Sequence, residues 1–217
     1  MKILRVALLI MMIPLPSFAK VWILRALGGK VGRGCRIGFT YIDARYVTIG
    51  DNVLIASFNL LHRLKTITLK SGSRMNGFNW ITGARVGKFF LGRNSAVTRM
   101  HFFESSGDII IGDNTIIAGR NSHFFTHGIS ATNLDDVRPI VIGDWCYIGS
   151  STRWVPGSGI ADRTFVGMGA VLTKPYGQGC VLLAGNPAVV RKQLMPTSPY
   201  FNRSFLPHDH HKAWYRG

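Results

Sequence analysis

The first chemically suggestive feature of the sequence is a histidine beside a break in its regular pattern. His127 lies in the segment Phe125-Thr126-His127-Gly128, just before an irregular stretch at 129–138. A neutral imidazole suits proton removal from a hydroxyl near pH 7, and an insertion that leaves a regular scaffold commonly carries a site. His127 is therefore a candidate general base, although on these residues alone a loop histidine satisfied by backbone carbonyls is the simpler interpretation. His123 and His101 are expected to line the same pocket or to be half-buried, and we favour the second for His101.

An imidazole base works better when an acceptor holds its second ring nitrogen and so fixes its tautomer. Glu104 is the first candidate for that acceptor, because Phe103 and His123 are expected at like positions in neighbouring turns of the chain. Asp135 and Asp136, in the irregular stretch, are the rival acceptors. A surface charge at Glu104 is an equally simple interpretation of this residue.

The elements that must position these residues show an apolar period of six. The recurring residues are Ile142, Ile148, Trp154, Ile160, Val166 and Leu172, with shorter runs at Val31 and Ile37, Ile49 and Ile55, Leu91, Val97 and Phe103, and Ile111 and Ile117. A period of six fits neither an α-helix nor a hairpin, but three short strands with a corner after each would produce it. Stacked turns of this kind bury a continuous apolar ladder. We therefore predict an all-β solenoid; a β-sandwich would need turn signals every ~8–12 residues instead.

Two segments resemble the hexapeptide-repeat acyltransferases, and most closely the sugar and exopolysaccharide O-acetyltransferases. The segment 142–192 joins the repeat to Val171-Leu172-Thr173-Lys174 and to Ala184-Gly185-Asn186-Pro187-Ala188, and 116–128 is similar to the active-site coil of that family. The resemblance covers 30–192. It implies a left-handed parallel β-helix, an exception to the usual right-handed crossover, assembled as a homotrimer with acyl-CoA sites between subunits.

The same resemblance implies acetyl transfer from acetyl-CoA to a hydroxyl of a sugar, in a surface polysaccharide or its lipid-linked precursor. It assigns the role of base to His127. It implies cofactor contacts along one edge of the coils and at two cations, namely Tyr147, Gly149, Ser150, Gly167, Gly169, Lys174 and Arg191. Tyr147 stands where relatives often have tryptophan. The alternative for Lys174 and Arg191 is an ordinary solvated basic face.

We expect the chain to divide into three segments. These are an apolar and amphipathic helical segment at 1–29, a left-handed β-helix at 30–184 with a loop inserted at about 128–140, and a C-terminal helix with a basic tail at 185–217. Ser17 is expected to cap a helix that ends at Gly28-Gly29. The uncharged run 6–19 is short for a transmembrane span and contains Pro14 and Pro16. We expect this segment to make peripheral membrane contact; a cap over the core and a cleaved secretory signal are the alternatives.

Charge and cysteine content narrow the possible partners. Lys and Arg number 26 against 10 Asp and Glu, a formal net charge of +16 that attracts phosphate groups and anionic surfaces. The basic residues are spread along the chain without a helix-turn-helix, RRM or zinc-finger pattern, so we expect no nucleic-acid partner. Three cysteines at unrelated spacings are expected to be reduced. Because acetyl-CoA is cytosolic, we expect a cytoplasmic protein at the cytosolic face of the membrane.

Two other functions share the predicted fold. A γ-type carbonic anhydrase holds zinc with histidines between subunits; His123 and His127 fit this faintly, but no third ligand is evident and we expect no metal. The histidine-rich tail at 207–211 is expected to be solvated, since adjacent ligands on a loose tail rarely close a tetrahedral site. A non-catalytic trimeric scaffold at a membrane is the other alternative, and binding of acetyl-CoA separates it from the enzyme.

Overall fold

The chain forms a parallel β-solenoid of about eight turns with two short helices at its N-terminal end. This architecture comes from a computed structural model that describes residues 2–129 and 131–203, and side chains from residue 6 onward. The elements are α1 (Lys2–Met12), α2 (Ser17–Ala26), β1 (Lys30–Val31), β2 (Arg36–Ile37), β3 (Thr40–Ile49), β4 (Leu54–Ile55), β5 (Asn59–Leu69), β6 (Arg74–Met75), β7 (Trp80–Thr82), β8 (Lys88–Leu91), β9 (Ala96–Val97), β10 (Phe102–Glu104), β11 (Ile109–Ile111), β12 (Ile116–Ile117), β13 (His123–Phe125), β14 (His127–Gly128), β15 (Asp136–Val137), β16 (Ile140–Ile142), β17 (Tyr147–Ile148), β18 (Arg153–Trp154), β19 (Gly159–Ile160), β20 (Phe165–Val166), β21 (Val171–Leu172), β22 (Pro175–Tyr176), β23 (Val181–Ala184) and β24 (Val189–Gln193), followed by a 3-10 turn at Pro199–Asn202.

The solenoid has three faces, because each turn contributes one strand to each of three parallel ladders. Face 1 contains β2, β4, β6, β9, β12, β17, β20 and β23. Face 2 contains β7, β10, β13, β18 and β21, and face 3 contains β1, β8, β11, β16, β19 and β22; β3 and β5 are long strands that bend from face 2 into face 3. We call the edge between faces 1 and 2 corner 1, the edge between faces 2 and 3 corner 2, and the edge between face 3 and the next face 1 corner 3.

The apolar period predicted from the sequence forms the core. Every residue of the six-residue series lies inside the solenoid with at most 9% of its surface exposed. On face 2 the inward residues include a stack of rings in which Phe103 lies 4.5 Å from Phe124, and Phe124 lies 5.2 Å from Trp154, between centroids. The predicted all-β solenoid is therefore confirmed, and its geometry is consistent with a left-handed β-helix.

Coil length varies, and the longest coil carries the insertion. Ile148 pairs with Val166, a step of 18 residues, whereas Ile117 pairs with Ile148, a step of 31. The additional residues leave the solenoid at corner 2 as a hairpin in which β14 pairs with β15. A bidentate ion pair between Arg138 and Asp136, with both N···O distances at 2.7 Å, stiffens the returning strand.

The N-terminal segment packs over the first coil. α1 ends before Pro14, and α2 begins directly after Pro16, as expected of residues that interrupt a helix. Leu9, Met12 and Leu24 are buried in the core cluster, so one side of each helix does cap the solenoid. No helix among residues 2–129 and 131–203 is both long and apolar enough to cross a bilayer.

Ser17 does not cap α2, contrary to the prediction. Pro16 occupies the N-cap position, and the Ser17 hydroxyl accepts a hydrogen bond from the backbone N–H of Ile37 at 2.9 Å. Lys20, which is buried, donates to the carbonyl of Gly38. Burial lowers the pKa of the Lys20 ammonium. The polar side of α2 is therefore used to dock the helix on β2.

The predicted C-terminal helix is wrong. After β23 the chain reverses at Gly185 and returns as β24, which pairs antiparallel with β23, so the basic stretch after Ala188 is a strand. The only helical element of the described residues beyond 185 is the 3-10 turn at Pro199–Asn202. β-Branched Val189 and Val190 open the strand and favour an extended backbone. The histidine-rich tail at 207–211 lies outside the described residues.

Candidate active site

His127 lies at corner 2, where the hairpin leaves the solenoid. Its neighbour Thr126 is buried at the end of face 2, and the carbonyl of Thr126 accepts a hydrogen bond from the N–H of Arg138 at 2.9 Å. This bond closes the base of the insertion beside the histidine. The His127 side chain is 43% exposed, so its imidazole is accessible to a molecule approaching corner 2 from solvent.

The Glu104 carboxylate holds the backbone at His127 rather than its ring. One oxygen accepts hydrogen bonds from the backbone N–H of Ser106, at 3.0 Å, and from the Ser106 hydroxyl. The other oxygen accepts the backbone N–H groups of Thr126, at 3.2 Å, and of His127, at 3.0 Å, and lies 3.0 Å from the Thr126 hydroxyl. A carboxylate with this many donors is strongly fixed. Glu104 therefore positions the turn that presents His127.

The pairing of neighbouring coils differs by one residue from the expected register. His123 pairs with Phe102, and Phe103 pairs with Phe124. The expected equivalence of Phe103 and His123 is wrong because the two inward positions of these strands are both occupied by phenylalanine, while His123 faces outward.

The carboxylate nearest to the His127 ring belongs to the hairpin. Asp135 Oδ1 lies 3.9 Å from Nε2, and the Asp135 side chain is 87% exposed. An exposed pair at this distance contributes little in water and attracts the histidine only when the ring is protonated. The structure thus offers Asp135 as a contact of the ring and Glu104 as a contact of the backbone.

The other two histidines of this region have separate environments. His101 is buried, its Nδ1 accepts the backbone N–H of Ser122 at 3.2 Å, and its Nε2 lies 3.0 Å from the Thr98 hydroxyl. Burial, with a smaller effect of His123, lowers the pKa of His101 to about 4. Partial burial, with the nearby Arg153, also lowers the pKa of His123. His101 is more deeply buried than the half-buried position expected from the sequence.

An exposed aromatic cluster covers the outer surface of face 2 next to His127. Trp80 and Phe102 meet edge to face at 5.2 Å between centroids, and Phe102 lies 5.6 Å from Phe125 and 5.9 Å from His123. Trp80 and Phe125 are exposed. This cluster is not evident from the six-residue period, although its members alternate with inward residues along their strands, and that alternation is the signal that could have found it.

The glycines expected to contact the cofactor lie at corner 1, and glycine suits these positions for different structural reasons. A Cβ at Gly149 would lie 2.8 Å from the backbone nitrogen of Met168, so close packing of two coils already requires glycine there. Gly169 has a φ of +74° and would meet nothing within 4 Å. Its surroundings are therefore open to a bound molecule. Ser150 and Gly167 lie on the same corner.

Tyr147 lies on face 1 and is partly covered by the C-terminal 3-10 turn. Its ring stacks on Phe165 at 5.3 Å and meets Tyr200 edge to face at 5.9 Å. Tyr200 donates its hydroxyl hydrogen to the carbonyl of Cys146 at 3.0 Å, and burial raises the pKa of this phenol. Phe165 and Tyr200 therefore cover part of the Tyr147 ring that was expected to contact a cofactor.

The two cations expected to bind phosphates lie on different corners. Lys174 follows β21 at corner 2, with its Nζ 5.8 Å from the centroid of Tyr176. Arg191 lies on β24, and its Nε is 3.4 Å from the carbonyl of Ala184, beside the reversal at Gly185 near corner 1. A single chain therefore does not bring Lys174 and Arg191 to one phosphate group.

The candidate residues thus form two half-sites on opposite edges of face 2. His127, Glu104 and Lys174 belong to the corner 2 half-site. The corner 1 half-site contains the predicted cofactor contacts Gly149, Ser150, Gly167, Gly169 and Arg191. Within residues 2–129 and 131–203, no three His, Cys, Asp or Glu side chains are grouped so that they could hold a metal ion.

Known structures share this architecture, although no protein-family model matches the chain. The polysialic acid O-acetyltransferase OatWY is 14% identical, with a TM-score of 0.54 over 76% of this chain and 81% of its own. The polysialic-acid-specific acetyltransferase NeuO is 16% identical, with a TM-score of 0.52 over 86% and 91%. AntD, an N-acyltransferase from Bacillus cereus solved with dTDP-4-amino-4,6-dideoxyglucose and coenzyme A, is 16% identical, with a TM-score of 0.50 over 79% and 87%. These likenesses confirm the fold that the sequence resemblance implied.

Proposed function

We propose that this protein transfers an acetyl group from acetyl-CoA to a hydroxyl of a sugar. The observation that carries the proposal is the exposed imidazole of His127, presented at the interruption of a β-solenoid by a turn that Glu104 holds. The similar structures support it, because they are acyltransferases that act on sugars or bind a sugar nucleotide. Fold alone does not determine function, so the proposal rests on the site together with the fold.

In the proposed reaction His127 removes the proton from the acceptor hydroxyl as its oxygen attacks the thioester carbonyl. A new C–O bond forms, and the C–S bond then breaks with release of the coenzyme A thiolate. The imidazolium gives its proton to that sulfur, so the base is regenerated. Glu104 keeps the backbone of His127 in place during these steps, and does so without contact to the reacting atoms.

The proposed donor site is the corner 1 half-site. Gly169 leaves open surface beside exposed backbone, where the pantetheine arm would lie, with Ser150, Gly149 and Gly167 along the same edge. Arg191 lies next to this edge and offers a guanidinium to the phosphates of acetyl-CoA. Lys174 lies at corner 2, so a phosphate bound at corner 1 of one copy would be reached only by Lys174 of a neighbouring copy.

A homotrimer would unite the two half-sites. His127 and Gly169 lie on opposite edges of face 2 within one chain, so corner 2 of one copy must face corner 1 of the next. A ring of three copies closes such a heterologous contact. The exposed aromatic cluster of Trp80, Phe102 and Phe125 lies between the two corners and would be buried in this contact.

The N-terminal helices would hold the enzyme at the cytosolic face of a membrane. Phe18 and Trp22 lie one turn apart on α2 and are exposed, as are Ile10 and Met11 on α1. Exposed apolar side chains on a strongly basic chain are typical of peripheral attachment to anionic lipid. This location would favour a surface polysaccharide or its lipid-linked precursor as the acceptor.

The test is acetyl transfer by His127→Ala against a matched control. Thiol release from acetyl-CoA and the mass gain of one acetyl group on a candidate glycan are measured together. The His127→Ala variant should lose activity by ~10²–10⁴-fold while still binding acetyl-CoA. His62→Ala, a substitution of a histidine elsewhere on face 2, should keep the wild-type rate. Retained activity in His127→Ala would remove this residue from the role of base and direct attention to His123; failure of the wild type to bind acetyl-CoA would reject the proposed enzyme.

A further inference from the structure

A ridge of apolar side chains runs along the N-terminal half of corner 1. We call Phe39, Phe58, Phe78 and Met100 the apolar ridge; they come from four successive coils and are 49%, 62%, 52% and 48% exposed. Phe39 and Phe58 stack at 6.5 Å, and Phe58 and Phe78 at 5.0 Å, between ring centroids. With coils about 4.8 Å apart, the ridge is roughly 14 Å long.

The backbone at three of these four positions does not favour such side chains. Phe58, Phe78 and Met100 have φ values of +66°, +65° and +59°, in the left-handed region that asparagine and glycine adopt most readily. Further along the same corner the equivalent residues are Asn121, Ser151 and Gly169, also with positive φ. Folding therefore gives no reason for large apolar residues in the first half of the corner, and their exposure excludes a role in the core.

Cations follow the ridge along the corner. Arg99 immediately precedes Met100, Arg120 lies one coil further, and both are exposed. No acidic residue of the described coils lies at corner 1. Several aspartates of the same coils lie at corner 3 instead, namely Asp51, Asp113, Asp144 and Asp162. Corner 1 thus changes from apolar to basic and then to the small residues of the proposed donor site.

We infer that corner 1 binds an acceptor sugar that is linked through phosphate to a hydrocarbon chain. The hydrocarbon would lie on the apolar ridge, the phosphate at Arg99 and Arg120, and the sugar beyond them, between the donor site and His127 of a neighbouring copy. This inference rests on the proposed function and narrows its acceptor to one chemical class. Along corner 1 an apolar surface is followed by cations and then by the proposed donor site. A lipid-linked sugar has its hydrocarbon, phosphate and sugar in the same order.

A purely saccharide ligand fits the ridge less well. The rings of Phe39 and Phe58 are stacked with planes 19° apart, and those of Phe58 and Phe78 with planes 23° apart, so neighbouring rings occupy part of the ring faces. Sugars stack on exposed ring faces, whereas hydrocarbon chains pack against apolar edges and have no need of a polar partner. The ridge also begins beside α2, where Lys20 Nζ lies 5.2 Å from the centroid of Phe39.

The test uses geranylgeranyl phosphate as the probe, with the full-length protein and titration calorimetry below the aggregation limit of the probe. The Phe58→Asn/Phe78→Asn double variant should bind it about tenfold more weakly or worse, because two partly exposed rings are removed. Asparagine suits the left-handed backbone, as at Asn121, so the variant should fold. Val86→Asn/Met195→Asn, which removes two exposed apolar residues away from corner 1, should bind like the wild type.

The phosphate contact is tested separately. Arg99→Gln/Arg120→Gln should weaken binding of geranylgeranyl phosphate about tenfold but leave binding of the uncharged geranylgeraniol unchanged. Arg93→Gln, at corner 3, is the control and should change neither affinity.

The outcomes separate this inference from the proposed function. Equal affinity of the ridge variant and the wild type, or no binding by the wild type, would overturn the inference even if acetyl-CoA binds normally. A second result would also overturn the inference. If the ridge variant lost binding to phosphatidylglycerol-containing vesicles while the wild type had no affinity for the probe, the ridge would be a bilayer contact. The inference would be supported by tight probe binding that depends on both the Phe58/Phe78 pair and the Arg99/Arg120 pair, with acetyl-CoA bound equally by all variants.

Discussion

Replacing His101 by asparagine should remove part of the acid sensitivity of the fold. His101 belongs to a buried polar ladder at the start of face 2, in which each side chain accepts the backbone N–H of the next coil. Asn59 accepts from Asn79 at 2.9 Å, Asn79 from His101 at 3.0 Å, His101 from Ser122 at 3.2 Å, and Ser122 from Thr152 at 3.2 Å. Because two preceding coils already use asparagine, His101→Asn should preserve the ladder.

The magnitude follows from the lowered pKa of His101, about 4 in the folded chain against 6.5 in the unfolded one. Between these values the unfolded state binds more protons, so the free energy of unfolding falls as the pH falls from 6.5 towards 4. A shift of this size is worth about 3 kcal/mol when complete, and about 2.5 kcal/mol of it should be lost between pH 7.5 and 4.5. The N–H of Ser122 also loses its acceptor when Nδ1 is protonated.

The assay is urea unfolding at pH 7.5, 5.5 and 4.5, followed by circular dichroism, for wild type and His101→Asn. The quantity of interest is the difference between the two proteins, since other groups, including His123, titrate in both. The wild type should lose about 2.5 kcal/mol more than the variant over this range. Equal losses would refute the account of His101 as a neutral ladder residue, and a variant that is unstable at pH 7.5 would refute the equivalence with asparagine.

Three further predictions concern the site. Glu104→Gln should lower kcat about tenfold or more with little change in KM for acetyl-CoA, because the turn at His127 loses charge-assisted hydrogen bonds; an unchanged kcat in steady-state kinetics would contradict the positioning role. Arg191→Ala and Lys174→Ala should each raise KM for acetyl-CoA about tenfold with nearly unchanged kcat, and equal affinities by calorimetry would move the donor site elsewhere. Trp80→Asp should dissociate the proposed homotrimer in analytical ultracentrifugation and abolish activity, since a charge would be buried in the proposed interface; a trimer that persists would place the interface on another face.

Several features of this protein follow from its sequence alone. The six-residue period identifies inward residues on all three faces, and each of them is buried, because stacked turns bury a continuous apolar ladder. The break in that period also locates the insertion along the chain, with His127 at its start, and stacking of the coils then places it at corner 2. These are local properties, and they depend only on the order of apolar and irregular residues along the chain.

The remaining features depend on which residues meet across coils. The partners of Glu104 lie two residues away at Ser106 and a full coil away at Thr126 and His127, so its role depends on the register between coils. That register changes with every corner insertion, which is why the expected pairing of Phe103 with His123 was off by one. The C-terminal strand replaced the predicted helix because β23 offers an open edge that β24 can pair with. The separation of His127 from the corner 1 residues by the width of face 2 likewise emerges only when the coils are stacked, since sequence distance carries no record of which corner a residue occupies.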